Sequence, residues 1–186
     1  PLKTMSGMST YETFYDGVFV PDEDVLPPLH GGWPIIMHAL NHERVGLSPT
    51  SNLVRNYDIA VEHLRKHAPE RLRDPVVRNR LAELRMELQR HRALAIRNAV
   101  TIARGAIKPG EASMAKISGS ELRYRMTTLL MDVLGRRSGI ARDDDEAIAE
   151  GHIQGNYLSS PILRFGGGTN EVQRSIIATR HLGMTR

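Results

Sequence analysis

At 186 residues and 20.8 kDa, with 40% hydrophobic and 25% charged residues, the chain is large enough for one core and is neither disordered nor collagen-like by composition. The absence of cysteine excludes disulfide scaffolds, thiolate metal sites and thiol nucleophiles. The net charge is +4, but 21 of the 25 basic residues are arginine and only Tyr57 borders the basic stretch from Glu62 to Arg104; nucleic-acid readers interleave stacking aromatics with their charge, so nucleic acid is not an expected partner.

Residues 9–20 (STYETFYDGVFV) are dense in β-branched and aromatic residues around Asp16 and Gly17, the pattern of strand, tight turn, strand. Pro21, Pro27, Pro28, Gly31 and Gly32 then interrupt regular structure until Trp33. A helical pattern runs from about Trp33 to His67, broken or kinked at Pro49. Asp74 followed by Pro75 marks the next helix start, because the Asp accepts from orphan amides and a proline at the first helical position loses no hydrogen bond. Val77, Leu81, Leu84, Leu88, Ala95 and Ala99 give this helix one buried stripe, and Arg78, Arg80, Arg85, Arg90 and Arg92 fall largely off it. Pro109 and Gly110 end it, and a further helix begins near Glu111 with Ala115, Leu122, Met126, Leu129 and Val133 on its apolar side. Ser118 and Gly119 in that helix permit close helix approach.

The stretch from Gly135 to Pro161 is less regular. Its acidic run, Asp143 to Glu146, reads better as a solvated loop than as a helix cap, and the spacing of a calcium loop is absent. A last helix follows Gly166, Gly167, Gly168 and Thr169 and runs to about His181. No apolar run approaches the roughly 18 residues of a membrane helix, and the first residues do not read as a signal peptide; a cytoplasmic protein is expected. The elements predict an all-α, up-down four-helix bundle over 30–186. A lone hairpin is marginal in water, so residues 1–29 are expected to be the tail of a β domain.

Two stretches carry chemistry. Residues 165–174 (FGGGTNEVQR) form a Gly-rich turn running into a helix, where exposed amides and the hydroxyl of Thr169 suit phosphate or pyrophosphate; the residues alone equally describe a loop before an ordinary Thr-capped helix. Residues 38–45 (HALNHERV) put Glu43 among apolar residues on a helix, where a raised pKa suits a general base acting on a weak carbon acid. A surface ion pair between Glu43 and Arg44 is the other reading.

Taken in order, these pieces resemble the C-terminal half of the acyl-CoA dehydrogenase family. The match is carried by Phe19 to Pro21 with Asp24 and Val25; by Gly31 to Trp33 followed by Leu40 to Arg44; by residues 78–84 (RNRLAEL); by residues 112–116 (ASMAK) with Ser120 and Glu121; and most specifically by residues 168–178 (GTNEVQRSIIA) with Leu182 and Gly183.

The resemblance implies an FAD enzyme that oxidises acyl-CoA to 2-enoyl-CoA and passes electrons to an acceptor, as a homodimer, a tetramer or a heteromer with a related dehydrogenase subunit. Many members place the catalytic Glu immediately before the Gly-Thr of the terminal motif. That position is Gly167 here. A smaller group places it on the first bundle helix before an Arg, where Glu43 stands, with Arg44 as the neighbouring substrate-binding residue. Cofactor contacts are implied at Gly168, Thr169 and Glu171, at Gly135 and Gly139 in place of the family's glycine loop, and at Arg65, although Ala68 and Pro69 replace the Phe-Gly that follows it there. The alternative is a non-catalytic or truncated helical subunit that assembles with an active dehydrogenase.

Overall fold

The computed structural model describes residues 1–105 and 107–185. Two strands, β1 (Leu2–Lys3) and β2 (Ser9–Thr10), pair antiparallel with Leu2 opposite Thr10 and Lys3 opposite Ser9. Six α-helices follow among the described residues: α1 (Gly32–Gly46), α2 (Thr50–His67), α3 (Pro75–Ala103), α4 (Pro109–Leu134), α5 (His152–Ser159) and α6 (Asn170–Ile176). The chain leaves α6 through a π-turn over Ile177–His181.

The hairpin expected over residues 9–20 does not form. Its partner strand is Leu2–Lys3, and Tyr11, Phe14, Tyr15, Val18 and Phe19 stand exposed in irregular backbone. β-propensity expresses the fit of a side chain to a pleated, half-buried surface, and no larger sheet is present among the described residues to supply one.

The helix starts follow local chemistry. Asp74 Oδ1 accepts from the Val76 amide at 2.8 Å with Pro75 in the first turn of α3. Pro49 separates α1 from α2 instead of kinking one long helix. The α3 helix ends at Ala103, earlier than Pro109, and α4 begins at Pro109. The acidic run Asp143 to Glu146 is solvent-exposed, but the helix α5 within the irregular stretch was not legible in the pattern.

Cross-helix contacts give the topology. Arg80 meets Asp132 at 2.5 Å, Arg125 meets Glu87 at 2.5 Å, and His91 meets Ser118 at 3.1 Å, so α3 and α4 run antiparallel. Arg85 meets Asp58 at 3.9 Å and His91 meets Ser48, just before α2, at 3.1 Å, so α2 runs antiparallel to α3 and parallel to α4. These ion pairs are largely solvated and contribute little stability. The core supplies it: Leu53, Ala60 and Leu64 of α2, Val77, Leu81, Leu84 and Leu88 of α3, Leu122, Met126, Leu130 and Val133 of α4, and Ile153 of α5. Each fully buried Leu is worth about 1.5–3 kcal/mol relative to an exposed one.

The apolar stripe of α3 stops at Leu88. Beyond it the buried positions are His91 and Asn98, while Ala95 is half-buried and Ala99 exposed. His91 packs under the corner between α1 and α2: Nε2 donates to the Ser48 carbonyl at 3.1 Å and Nδ1 accepts from the Ser118 hydroxyl. Gly119 makes that corner possible, since a Cβ there would fall 2.4 Å from Cβ of Ser48. Among the described residues no helix is long and apolar enough to cross a membrane.

Candidate active site

Arg44 draws the sequence-predicted residues together. It lies in the last turn of α1 and is 3% exposed. A guanidinium so buried needs acceptors. Nε donates to the carbonyl oxygen of Gly167 at 2.9 Å, and Nη1 donates to Oδ1 of Asn41 at 2.9 Å. Burial lowers its pKa from the usual arginine value, and the neighbouring charge of Glu43 opposes the shift.

Glu43 itself is exposed. In this chain the carboxylate is on the surface of α1 and not enclosed by apolar residues. The ion-pair reading also changes, because Arg44 directs Nε and Nη1 to Gly167 and Asn41.

The Gly-rich loop requires its glycines. Gly167 and Gly168 adopt φ of +68° and +93°, a region that side chains disfavour. A Cβ at Gly167 would stand 2.9 Å from Cδ1 of Leu47 and 3.4 Å from Cγ of Arg44. One at Gly168 would stand 2.7 Å from Nε2 of Gln173. The Gly167 carbonyl accepts a second hydrogen bond, from Gln173 Nε2 at 3.0 Å. Thr169 then caps α6, its hydroxyl accepting from the Val172 amide at 3.3 Å. The carboxyl of Glu171, in the first turn, is held below the usual carboxylate range by its own backbone amide and by the Thr169 hydroxyl.

Behind the loop lies a polar layer that motif reading did not assign to the site. Ser113 Oγ donates to Gln173 Oε1 at 2.7 Å. Lys116 Nζ donates to Asn170 Oδ1 at 2.6 Å and to the Arg164 carbonyl at 2.9 Å. Ser120 Oγ reaches Asn170 Oδ1 at 3.2 Å. All five side chains are 0–1% exposed. Ser113, Lys116 and Ser120 share one face of α4, and Asn170 and Gln173 one face of α6; polar residues at this spacing equally describe a solvated face, so the sequence carries no signal that this one is buried.

Between α1 and the terminal segment runs a cleft of about 850 Å³, lined in part by Trp33, Met37, Leu40, Arg44, Gly167 and Val172. Its apolar walls, with an arginine and backbone groups between them, have the character of a ligand site. Glu43 does not line it.

The remaining predicted residues gather elsewhere. Arg65 lies in the last turn of α2 and pairs with Glu62. Gly135 terminates α4 with φ of +77°, and Gly139 closes the 3-10 turn over Arg136–Gly139. Gly135, the cap of α4, stands fifteen positions beyond Ser120, which at 1.5 Å per residue puts it roughly 22 Å along the helix from the contact with Asn170. Because α2 and α4 are parallel, Arg65 shares that far end; the charge of Arg137 accordingly acts on His63. The chain thus carries two clusters, one around Arg44 and the Gly-rich loop, the other at the opposite end of the bundle. Among the described residues no group of three His, Cys, Asp or Glu side chains is placed to hold a metal ion.

Residues 30–182 match the family described as acyl-CoA dehydrogenase, C-terminal domain. The chain is 32% identical over 193 residues to acyl-CoA dehydrogenase FadE26 of Mycobacterium tuberculosis, covering all of this chain and 48% of that one. Among solved structures, it superposes on the protein named Tcur3481-Tcur3483 steroid ACAD with a TM-score of 0.91 at 32% identity, covering 100% of this chain and 48% of that one. It superposes on the ChsE4-ChsE5 complex of Mycobacterium tuberculosis with a TM-score of 0.86 at 32% identity, covering 100% of this chain and 49% of that one. The chain spans about half the length of these relatives.

Proposed function

The chain belongs to the acyl-CoA dehydrogenase family, and from that premise we propose that it is the C-terminal part of a flavin-dependent enzyme converting an acyl-CoA thioester to the 2-enoyl-CoA, with Glu43 as the base. The observation that carries this reading is the bond between Arg44 and Gly167. The loop position that holds the carboxylate in many members is here a glycine with positive φ, where a Cβ would press on Cδ1 of Leu47. The helix position that serves instead, Glu43, adjoins the arginine that grips that same glycine.

In this reading Glu43 accepts the α proton onto a carboxylate oxygen. A thioester α carbon is too weak an acid for this unless its carbonyl is hydrogen-bonded by fixed donors in a site closed to water. Arg44, which lines the cleft and has Nη2 engaged with neither Asn41 nor Gly167, is the side chain assigned to bind acyl-CoA. The exposure of Glu43 and of the apolar residues between Tyr11 and Val20 is what a site completed by further protein requires.

FAD, when bound, would accept the β hydrogen as hydride and supply the redox chemistry. Gly135, Gly139 and Arg65 are the contacts assigned to it at one end of the bundle. Open space stands where a Cβ would be at Gly135 and Gly139, so the backbone there is free to be approached by a flat or phosphate-bearing group. Gly168, Thr169 and Glu171 are assigned to a cofactor held mainly by a neighbouring subunit. The distance between the two clusters supports a site shared between chains.

The partner assigned is a related dehydrogenase subunit, because one of the 32%-identical structures is named as a complex of two components. That observation also favours a second reading, in which this chain is a non-catalytic subunit of such an assembly.

The test is Glu43→Gln in the intact enzyme. FAD content and acyl-CoA binding should survive, and flavin reduction by substrate should slow by on the order of 10²–10⁴. A rate within about threefold of the parent, far short of a general-base effect, would move the base to a partner subunit and leave this chain a structural role. Purified assembly in which this subunit lacks flavin contacts would point the same way.

A further inference from the structure

We propose that Lys116 is a positioning residue of the site: its side-chain nitrogen bonds both ends of the Gly-rich loop at once and thereby fixes where Gly167 and Gly168 sit. The inference rests on the reading of this loop as part of the active site. Lys116 projects from α4, 1% exposed, and its Nζ donates to the Arg164 carbonyl on one side and to Asn170 Oδ1 on the other. The five residues Phe165 to Thr169 lie between those two contacts. An ammonium carries three donors on one atom, so a single group closes the base of the loop. The top is held separately, by Arg44 and Gln173 on the Gly167 carbonyl.

Such a staple makes loop opening a proton-linked event. In the closed loop, burial lowers the Lys116 amine from its ordinary value to about 8. The charged groups acting on it are Glu171 of α6 and Glu121 of α4, which raise it, and Arg44 of α1 and Arg164 before the loop, which lower it. Carboxylates and guanidinium groups as classes keep their charge between pH 7 and 9.5. Opening returns the amine to water and its usual pKa near 10.5, so the open loop binds more protons between those values. Closure is therefore weakest at and below about pH 8 and strengthens as pH rises toward 10.5. A lysine buried by the fold as a whole, and not by the loop, would link protons to global unfolding and leave local opening independent of pH.

The test is rapid-quench hydrogen exchange of the 164–170 segment in the intact protein, corrected for intrinsic exchange at each pH. In the parent, loop protection should rise on the order of tenfold from pH 7 to pH 9.5. In Lys116→Met it should be flat with pH and, at pH 9.5, below the parent, since the two bonded oxygens lose a donor. Parent protection that does not change with pH overturns the proposal, and so does a rise that persists in Lys116→Met. If Lys116→Met does not fold, the parent titration decides alone. The measurement needs neither flavin nor substrate, so a positive result with an unaffected Glu43→Gln rate would sink the catalytic reading and leave the staple standing, and the reverse combination would do the opposite.

Discussion

Arg44 and Gly167 stand 123 residues apart in the chain and are joined by a 2.9 Å hydrogen bond from Nε to the backbone oxygen. The bond ties the end of the first bundle helix to the turn before the last one. Arg44 follows directly on Glu43, the residue proposed as the base.

Replacing Arg44 by Met keeps most of the buried stem and removes the donors. Asn41 Oδ1 then loses its partner, and the Gly167 carbonyl keeps only Gln173. An unsatisfied buried polar group costs about 1–3 kcal/mol, so the urea midpoint should fall by a corresponding amount. Flavin reduction should slow in Arg44→Met because the loop is no longer fixed to the helix carrying Glu43. An unchanged midpoint would show that the loop is held without this arginine.

Gly167→Ala should destabilise by about 1–3 kcal/mol, the cost of a side chain held in the left-handed region, added to which is the 2.9 Å approach to Leu47. Gly167→Glu should therefore fail to rescue Glu43→Gln: a carboxylate placed there strains the loop that would have to present it. Recovery of flavin reduction in the double variant would mean that the loop tolerates a side chain.

Burial lowers the pKa of His91, and burial is likewise the largest cause of the lowering at His63 and His152. Each is below the ordinary value of about 6.5 in the folded chain, so the unfolded chain binds more protons just below that pH. The stability they contribute is present above about pH 6.5 and is lost as pH falls through their folded values. Urea midpoints should drop between pH 7 and pH 5. His91 must then charge in a buried corner beside Arg90, and the Ser48 carbonyl, which favours the charged ring, offsets only part of that burial. A midpoint that holds steady across this range would contradict the assignment.

Leu130→Ala removes a side chain that is 0% exposed where α2, α3 and α4 meet, and should cost about 2–5 kcal/mol. Met86→Ala, on the outer face of α3 at 66% exposure, should change stability by less than about 0.5 kcal/mol. Thermal unfolding of the two variants side by side measures the difference, and equal shifts would disprove the placement of the core.

The four long helices, the last helix after the Gly-rich turn and much of the apolar stripe of α3 and α4 are legible in the sequence; α5 is not. The Asp74 cap, the break at Pro49 and the spacing of Leu81, Leu84 and Leu88 are local facts. A cap is satisfied within a few residues, and burial on a helix repeats every three or four. The short strings around Glu43, Ser113 and Gly168 were likewise legible because they occur in order along one chain. Which polar residues leave water is settled by the packing of one element against another. Lys116, Asn170 and Gln173 read as ordinary helix residues, and their partners lie 48 to 60 positions away. Nothing within a turn of helix distinguishes a lysine bound to solvent from one bound to a distant carbonyl. His91 and Asn98 took over the buried stripe of α3 from Ala95 and Ala99 for the same reason: what packs against a helix face is chosen by the elements that arrive there. Residues 11–20 went the other way, strand-like in composition and irregular in the fold, because a strand's hydrogen bonds are made to a neighbour and cannot be closed within the segment itself.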